Sequence, residues 1–494
     1  MKIALLNDSF PPVIDGVANA VYNYASTLCK EDEVVVGTPN YPEADYTKYP
    51  FSVIPYTSFN TTSFASGYRT GNPFDLKAIQ EVTRFQPDLI HSHCPIMSTY
   101  LAKLVRNVTD SPIILTYHTK YDVDIKNAIT SELLQKKSIE ALVSNISSCD
   151  EVWAVSEGAK ENLYSLGYKG ECKVVYNGVD FEKGKANPEL VQEATKDYDL
   201  PPGVPVFLFV GRLMKYKGIP LLIEAFKRLY EKDIPFRFVL IGDGADRDSI
   251  LQEVIDKKLP YDTNKIKSDY AHGKILFTGA IQDRAVLKAW NTRADVFLFP
   301  STFDTNGLVV REAAACGLAS MLIEGSCAAE GIVDGRNGFL VQQEVDSIAE
   351  FLETISQNFP LAKACGERAM EEIYLSWEDA IGVARKNYEL VLEKKDRGEY
   401  KHKQQETSLM NQAITQSLTD FIYLTEAPTR MKEGMLDNMN AFTKDVKLTH
   451  NQLLAIKAHV QARLAQDATI MEKEIKKSLN EVYEGIQRLT NKDL

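Results

Sequence analysis

The chain has 494 residues, 44% of them apolar and 25% charged, with a formal net charge of -12. That length supports two or three domains, each with a sizeable core. The acidic balance argues against a nucleic-acid protein, whose surface is usually basic. MKIALLNDSF lacks the charged start, long apolar core and cleavage site of a signal peptide. No apolar run approaches the ~20 residues that span a bilayer. The seven cysteines are scattered and include no C-x-x-C pair, which fits a reducing cytoplasm.

Along the chain, short apolar runs alternate with helical patterns. KIALLN, EVVVGT, DLIHSH, IILTYH, EVWAV and KVVYNG have the length of buried parallel strands, and most are rich in β-branched residues. Amphipathic stretches such as Val17–Leu28 and Ser138–Ser147 lie between several of them. After Pro201-Pro202-Gly203, a linker signal, the pattern restarts with VFLFVGR, FVLIGDG, ILFTGAI, VFLFPS, ASMLIE and GFLV. Such alternation predicts two doubly wound, Rossmann-like α/β domains. We place them at 1–198 and 199–375, followed by a helix over 376–395 that returns to the first domain. Ligands of such sheets bind outside the carboxyl ends of the strands, so two facing domains imply a cleft.

The remaining segment, 396–494, is different. Strand patterns vanish, and Leu453, Ile456, Val460, Leu464, Met471, Ile475, Leu479, Val482, Ile486 and Leu489 recur at helical spacing. Pro428 separates this expected helix from an earlier one. Three readings stay open: a hairpin packed on the core, a homodimer through a coiled coil, or a partner or membrane contact.

Two segments carry candidate chemistry. In VFLFVGRLMKYKG a strand runs into a loop holding Arg212 and Lys217, two cations able to meet a diphosphate. In STFDTNGLVVREAAACG, Asp304 and Glu312 flank a turn at Thr305-Asn306-Gly307 that opens a helix. Free amides at such a helix start suit a phosphate or a sugar hydroxyl, and carboxylates accept paired hydroxyls. A solvated basic loop and a simple N-cap aspartate are the competing readings.

GRLMKYKG, LIGDG, FTGAI, PSTFDTNGLVVREAAACG and DGRNGFLV, in this order, resemble the carboxyl-terminal domain of family 4 retaining glycosyltransferases, which have the GT-B fold. The likeness extends over about 1–390. It implies that Glu312 holds the nucleotide ribose and that Asp304, where the family has Glu, faces the donor sugar. Arg212 and Lys217 would hold the donor diphosphate. Backbone groups of Asn306, Gly307, Leu308 and Val309 would contact sugar and phosphate, with Gly279–Ile281 (Gly279 and Ile281 at its ends) beside the base. NDSFPPVIDGVANAV is similar to the family's first strand, loop and helix, which gives Gly16 a place at the donor phosphate. This chain has Asp15-Gly16 where many members have Gly-Gly. IILTYHTKYD resembles members that glycosylate membrane lipids, such as diacylglycerol glucosyltransferases, and His118 matches the family's histidine near the reacting carbon.

The resemblance implies a retaining hexosyl transfer from a nucleotide diphosphate sugar, UDP-glucose first, to a hydroxyl acceptor: a lipid, a lipid-linked glycan or another glycan. Neither a metal nor another cofactor is expected. The chain would be cytoplasmic or peripheral on the inner face of the cytoplasmic membrane. A non-catalytic nucleotide-sugar-binding scaffold and a GT-B phosphorylase or epimerase are the alternatives. Asp122-Val123-Asp124 and His91, His93 and Cys94 are weak metal signals. Lys103, Arg106, Lys120, Lys126, Lys136 and Lys137 make the first domain locally basic, either as a plain solvated surface or facing anionic headgroups.

Overall fold

The computed structural model describes residues 1–13, 15–60, 69–73, 75–129, 131–263 and 272–400. The expected helical extension and any homodimer contact through it lie, from residue 401 on, outside the described residues. By contact the chain forms two compact units. The first holds 1–153, 161–173 and the chain from Lys386; the second holds 154–160 and 174–385.

The first unit is built on β1 (Lys2–Leu6), β2 (Glu33–Pro39), β3 (Ser52–Tyr56), a hairpin of β4 (Ser58–Asn60) and β5 (Arg69–Gly71), and then β6 (Leu89–Ser92), β7 (Ile113–Tyr117), β8 (Glu151–Ala154) and β9 (Lys173–Val174). The sheet order is β3-β2-β1-β6-β7-β8-β9, so the winding reverses between β1 and β6. Both faces are covered, which is why Ile3, Ala4, Leu5 and Leu6 are all fully buried without alternation.

The second unit repeats the plan with β10 (Val206–Val210), β11 (Phe236–Ile241), β12 (Tyr261–Thr263), β13 (Gly273–Gly279), β14 (Val296–Phe299), β15 (Ser320–Ile323) and β16 (Phe339–Val341). Its order is β12-β13-β11-β10-β14-β15-β16, with every pairing parallel. Here the winding reverses between β10 and β14. Crevices at such reversals, outside the carboxyl ends of the strands, are where ligands of these sheets bind.

Each run expected to be a strand contains one, although KVVYNG contributes only Lys173–Val174. The strands β3 and β12 and the β4–β5 hairpin were not anticipated. The second unit also begins earlier than the Pro201-Pro202-Gly203 signal. The helix Pro188–Thr195 and its flanks pack there: the Ala186 N–H donates to Thr292 Oγ1 at 2.9 Å, and the Tyr198 ring meets Trp290 edge-on at 4.9 Å. The helix Trp377–Asp396 has its Tyr388 ring stacked on Trp153 in the first unit.

The basic residues of the first unit divide. Lys103 is buried with its ammonium over the Tyr100 ring, and Arg106 turns inward to the Ser148 carbonyl and Asp150, so these two do not face a headgroup. Lys136 and Lys137 are exposed on the helix Glu132–Ser147. Among the described residues no helix is long and apolar enough to cross a membrane.

Candidate active site

The second unit assembles its candidates at the carboxyl ends of β10, β13 and β14. After β10 the chain makes a 3₁₀ turn, Lys215–Lys217, and enters the helix Ile219–Glu231 through Gly218. Gly218 has φ 81°, and a Cβ there would lie 2.8 Å from the Pro300 carbonyl oxygen. Only glycine lets the loop after β10 press so closely on the loop after β14. Gly307, with φ 56°, then caps the helix Leu308–Ala315 without any side-chain hydrogen bond. The first-turn amides, those of Leu308 and Val309, thus have no intrahelical partner.

Because β10 and β14 are neighbours, the two loops bring Lys217 and Asp304 together. Lys217 Nζ lies 2.6 and 2.7 Å from the two carboxylate oxygens of Asp304. The Ser301 hydroxyl also donates to this carboxylate. The ammonium sits between the rings of Phe299 and Tyr216, at 5.7 and 5.8 Å from their centroids. With side chains 12% and 25% exposed, the pair is sheltered rather than solvated. Lys217 and Asp304 thus form one ion pair, where the family resemblance assigned the first to the donor diphosphate and the second to the donor sugar. An incoming phosphate must share the ammonium with Asp304. Arg212 stands apart from the pair: its guanidinium is exposed and its nearest recorded hydrogen bond, to the Tyr216 hydroxyl, is long at 3.4 Å.

Glu312 lies one turn into the helix Leu308–Ala315 and is 12% exposed at its side chain. Burial pushes its carboxyl above the usual range, and the Arg284 guanidinium, 2.6 Å away, opposes that. Gly279 ends β13 with φ 76°, and Ile281 packs against the core just beyond it. Among the described residues neither Oδ1 nor Nδ2 of Asn306, both buried, has a hydrogen-bond partner. They border a small cavity lined by Ser156, Gly307, Arg311, Cys327 and Glu330. The Ser156 hydroxyl donates to the Thr305 carbonyl and ties the turn down.

Gly16 and His118 belong to the first unit, at the carboxyl ends of β1 and β7. A Cβ at Gly16 would meet nothing within 4 Å among the described residues, so none of these demands glycine there. Asp15 caps the helix Gly16–Leu28: its Oδ1 accepts from the amides of Val17 at 2.8 Å and Ala18 at 2.7 Å. The first two amides after Gly16 are thus already taken by the chain's own carboxylate.

His118 is 6% exposed and belongs to a row of buried imidazoles. His118 Nε2 lies 3.0 Å from His93 Nδ1. His91 is held by the Tyr388 hydroxyl at 2.6 Å and Thr116 Oγ1 at 2.7 Å. His93 Nε2 is buried with no partner among the described residues. A bare lone pair is less costly to bury than an orphaned N–H, so the His93 proton belongs on Nδ1, donated to His118. Burial pulls all three imidazoles down, His118 to about 3, so each is neutral near pH 7. A neutral His118 can hydrogen-bond a sugar hydroxyl but offers no acid proton.

The sequence reading missed Arg284, Asp180 and Ser301, and took His93 only as a weak metal signal. Arg284 and Asp180 act through partners that no linear motif links to them, whereas Ser301 lies in the same short motif as its partner Asp304.

Family models and known proteins match the chain along both units. A family model described as glycosyltransferase family 4 matches residues 14–183, and one described as glycosyl transferases group 1 matches residues 191–372. An alpha-monoglucosyldiacylglycerol synthase of Acholeplasma laidlawii is 25% identical, over 77% of this chain and 98% of that protein. The synthase of the same name from Streptococcus pneumoniae is 23% identical, over 72% of this chain and 78% of its own length. The crystal structure of Anabaena HepE with UDP and glucose superposes with TM-score 0.58 at 19% identity, covering 79% of this chain and 99% of HepE. Sucrose-phosphate synthase of Thermosynechococcus elongatus superposes with TM-score 0.61 at 20% identity, covering 79% and 98%. With one family model on each unit and relatives aligned across both, the chain belongs to the family 4 glycosyltransferases and has their GT-B fold.

Proposed function

We propose that this glycosyltransferase moves a hexose from a nucleoside diphosphate sugar, UDP-glucose first, to a hydroxyl of a membrane lipid or lipid-linked glycan, with retention at the anomeric carbon. The observation that carries the reading is the meeting of Lys217, Asp304, the open amides of Leu308 and Val309, and Glu312 on adjoining loops of one sheet. A cation and free amides suit a leaving diphosphate; two carboxylates suit sugar and ribose hydroxyls. Support for the donor comes from the UDP and glucose bound in HepE. For a lipid acceptor it comes from the names of the two diacylglycerol synthases. Leu133, 40% exposed, stands beside Lys136 and Lys137 on the helix Glu132–Ser147, as a chain peripheral to a cytoplasmic membrane would use.

In this reading the bond from the anomeric carbon to the diphosphate breaks while the bond to the acceptor oxygen forms on the same face. The acceptor's proton passes to the departing phosphate. Lys217, Arg212 and the amides at the start of the helix Leu308–Ala315 take up the charge that grows on it. No step calls for a metal or another cofactor. For Gly16 and His118 the ground of any role is the family resemblance, and His118 would act as a neutral hydrogen-bonding group.

The test is to incubate the purified protein with a panel of nucleotide sugars and follow nucleoside diphosphate release, with and without a membrane-lipid extract. Release from one donor that rises with the extract is expected. Donor binding with no turnover, across a wide set of acceptors, would overturn the transferase reading.

A further inference from the structure

We infer that Arg284 is a positioning residue for the nucleotide: it holds the Glu312 carboxylate fixed and ionised, with one oxygen left open for the ribose. This rests on the proposed role of Glu312. Arg284 is the first residue of the helix Arg284–Arg293, whose start is fixed by Asp283 accepting from the Ala285 amide at 2.8 Å. Its guanidinium lies over the Phe181 ring, 4.4 Å from the centroid.

Those donors are divided. Nε lies 3.0 Å from Asp180 Oδ2 and Nη2 also bonds Asp180 Oδ1, while the same Nη2 reaches Glu312 Oε1 at 2.6 Å. A guanidinium can clasp both oxygens of one carboxylate. Here that grip goes to Asp180, and Glu312 receives a bond on Oε1 alone. Among the described residues Oε2 of Glu312 has no hydrogen-bond partner. A carboxylate held at one oxygen and open at the other is placed to accept from a hydroxyl.

The charge argument points the same way. Glu312 is largely buried, and burial favours its neutral form. A protonated carboxyl could no longer accept from both members of a diol. The groups that face it are Arg284 and, beyond it, Asp180, with the Cys316 thiol and Lys288 nearby. Lys288 is directed to the Glu182 carbonyl at 2.8 Å, and Asp180 opposes ionisation. Arg284 is therefore the cation in direct contact that sustains the charge.

The experiment uses the full chain and measures the affinities for UDP, 2′-deoxy-UDP and 3′-deoxy-UDP from about pH 6 to 8.5, with the GDP series in parallel. The wild type is expected to prefer the ribose form by roughly 10-fold or more, the worth of a hydrogen bond to a charged group. Arg284→Gln should lose most of that preference at the lower pH and regain part of it at the higher, where Glu312 ionises unaided. Its donor KM should rise far more than its kcat falls. Arg284→Lys should keep much of the preference. Asp180→Asn, which removes the far carboxylate, should keep it too; a merely structural clamp would make that variant as damaging as Arg284→Gln. Retention of the wild-type ribose preference and pH profile by Arg284→Gln would overturn the inference while leaving Glu312 as the ribose ligand. A wild type that transfers sugar yet ignores both deoxy changes would overturn the Glu312 role and the inference with it.

Discussion

In each unit a helix follows a strand that borders the winding reversal, and the first turns of these two helices are prepared in opposite ways. Gly16–Leu28 follows the first strand of its sheet and is closed by Asp15, whose carboxylate occupies the amides of Val17 and Ala18. Leu308–Ala315 follows β14 and is capped by Gly307, with no side chain across its amides. Both ends carry the same partial positive charge. A ligand anion meets a competing carboxylate at the first and open donors at the second. The surroundings differ in the same sense. The second unit sets charges in pairs, Lys217 with Asp304 and Arg284 with Glu312, whereas the first sets neutral imidazoles in a row. Reading both helix starts as phosphate sites from their glycines would miss this asymmetry.

The comparison breaks most visibly at Lys217. If the open end holds the leaving diphosphate, Lys217→Ala should lower kcat/KM by about 10²–10³, the usual loss when a preorganised charge is removed from a transition state. Thermal unfolding should move little. A sharper companion is Asp304→Asn, which frees the ammonium: it should bind UDP more tightly than the wild type, even as transfer falls. Equal UDP affinity in that variant would mean that Asp304 and the phosphate do not compete.

The neutral end makes a pH prediction. The unfolded imidazole titrates near 6.5 and that of folded His118 near 3, with His91 and His93 also well below the ordinary value. Between those limits the unfolded chain binds protons that the folded chain does not. The histidine contribution to stability is thus complete above pH 6.5 and is lost as pH falls toward 3, by about 1.4 kcal/mol per pH unit for each proton. Urea midpoints measured at about pH 7.5 and 5.5, a window above the usual carboxylate range, should fall with acidification. A flat response would mean that the imidazoles are wet and charged.

The smallest effect concerns the closed end. Asp15→Ala should cost about 0.5–2 kcal/mol through the lost cap, read from a denaturant titration. If the first helix takes no part in holding the diphosphate, the same variant should leave UDP affinity unchanged. Marked tightening would show that Asp15 screens an anion site there.

Much of this architecture was legible in the sequence because parallel strands covered on both faces appear as unbroken apolar runs. What escaped lies at sheet edges. Ser52–Tyr56 alternates and contains Pro55, which is tolerated in β3 because that strand is the last of its sheet. Tyr261–Thr263 is short and places a buried Asp262, 3.2 Å from Lys274, where an apolar residue would have marked a strand. In the site, the segments holding Lys217, Asp304, Gly307 and Glu312 could be read as motifs. Their pairing could not. Lys217 and Asp304 are 87 positions apart, and Arg284 and Asp180 are 104 apart, so only the folded sheet brings them together. No local spacing marks Arg284 as a partner of Glu312.

The contact between Gly218 and Pro300 ties these pairs to sequence change. A Cβ at Gly218 would press on the Pro300 carbonyl, so the two loops behave as one mechanical part with a single admissible spacing. Substitutions at either position will therefore be epistatic: a change at Pro300 that shifts its carbonyl alters what Gly218 can become. Drift in this region has to proceed by paired steps, and a search that varies one loop at a time would find a rigid site where a search that varies both would find room.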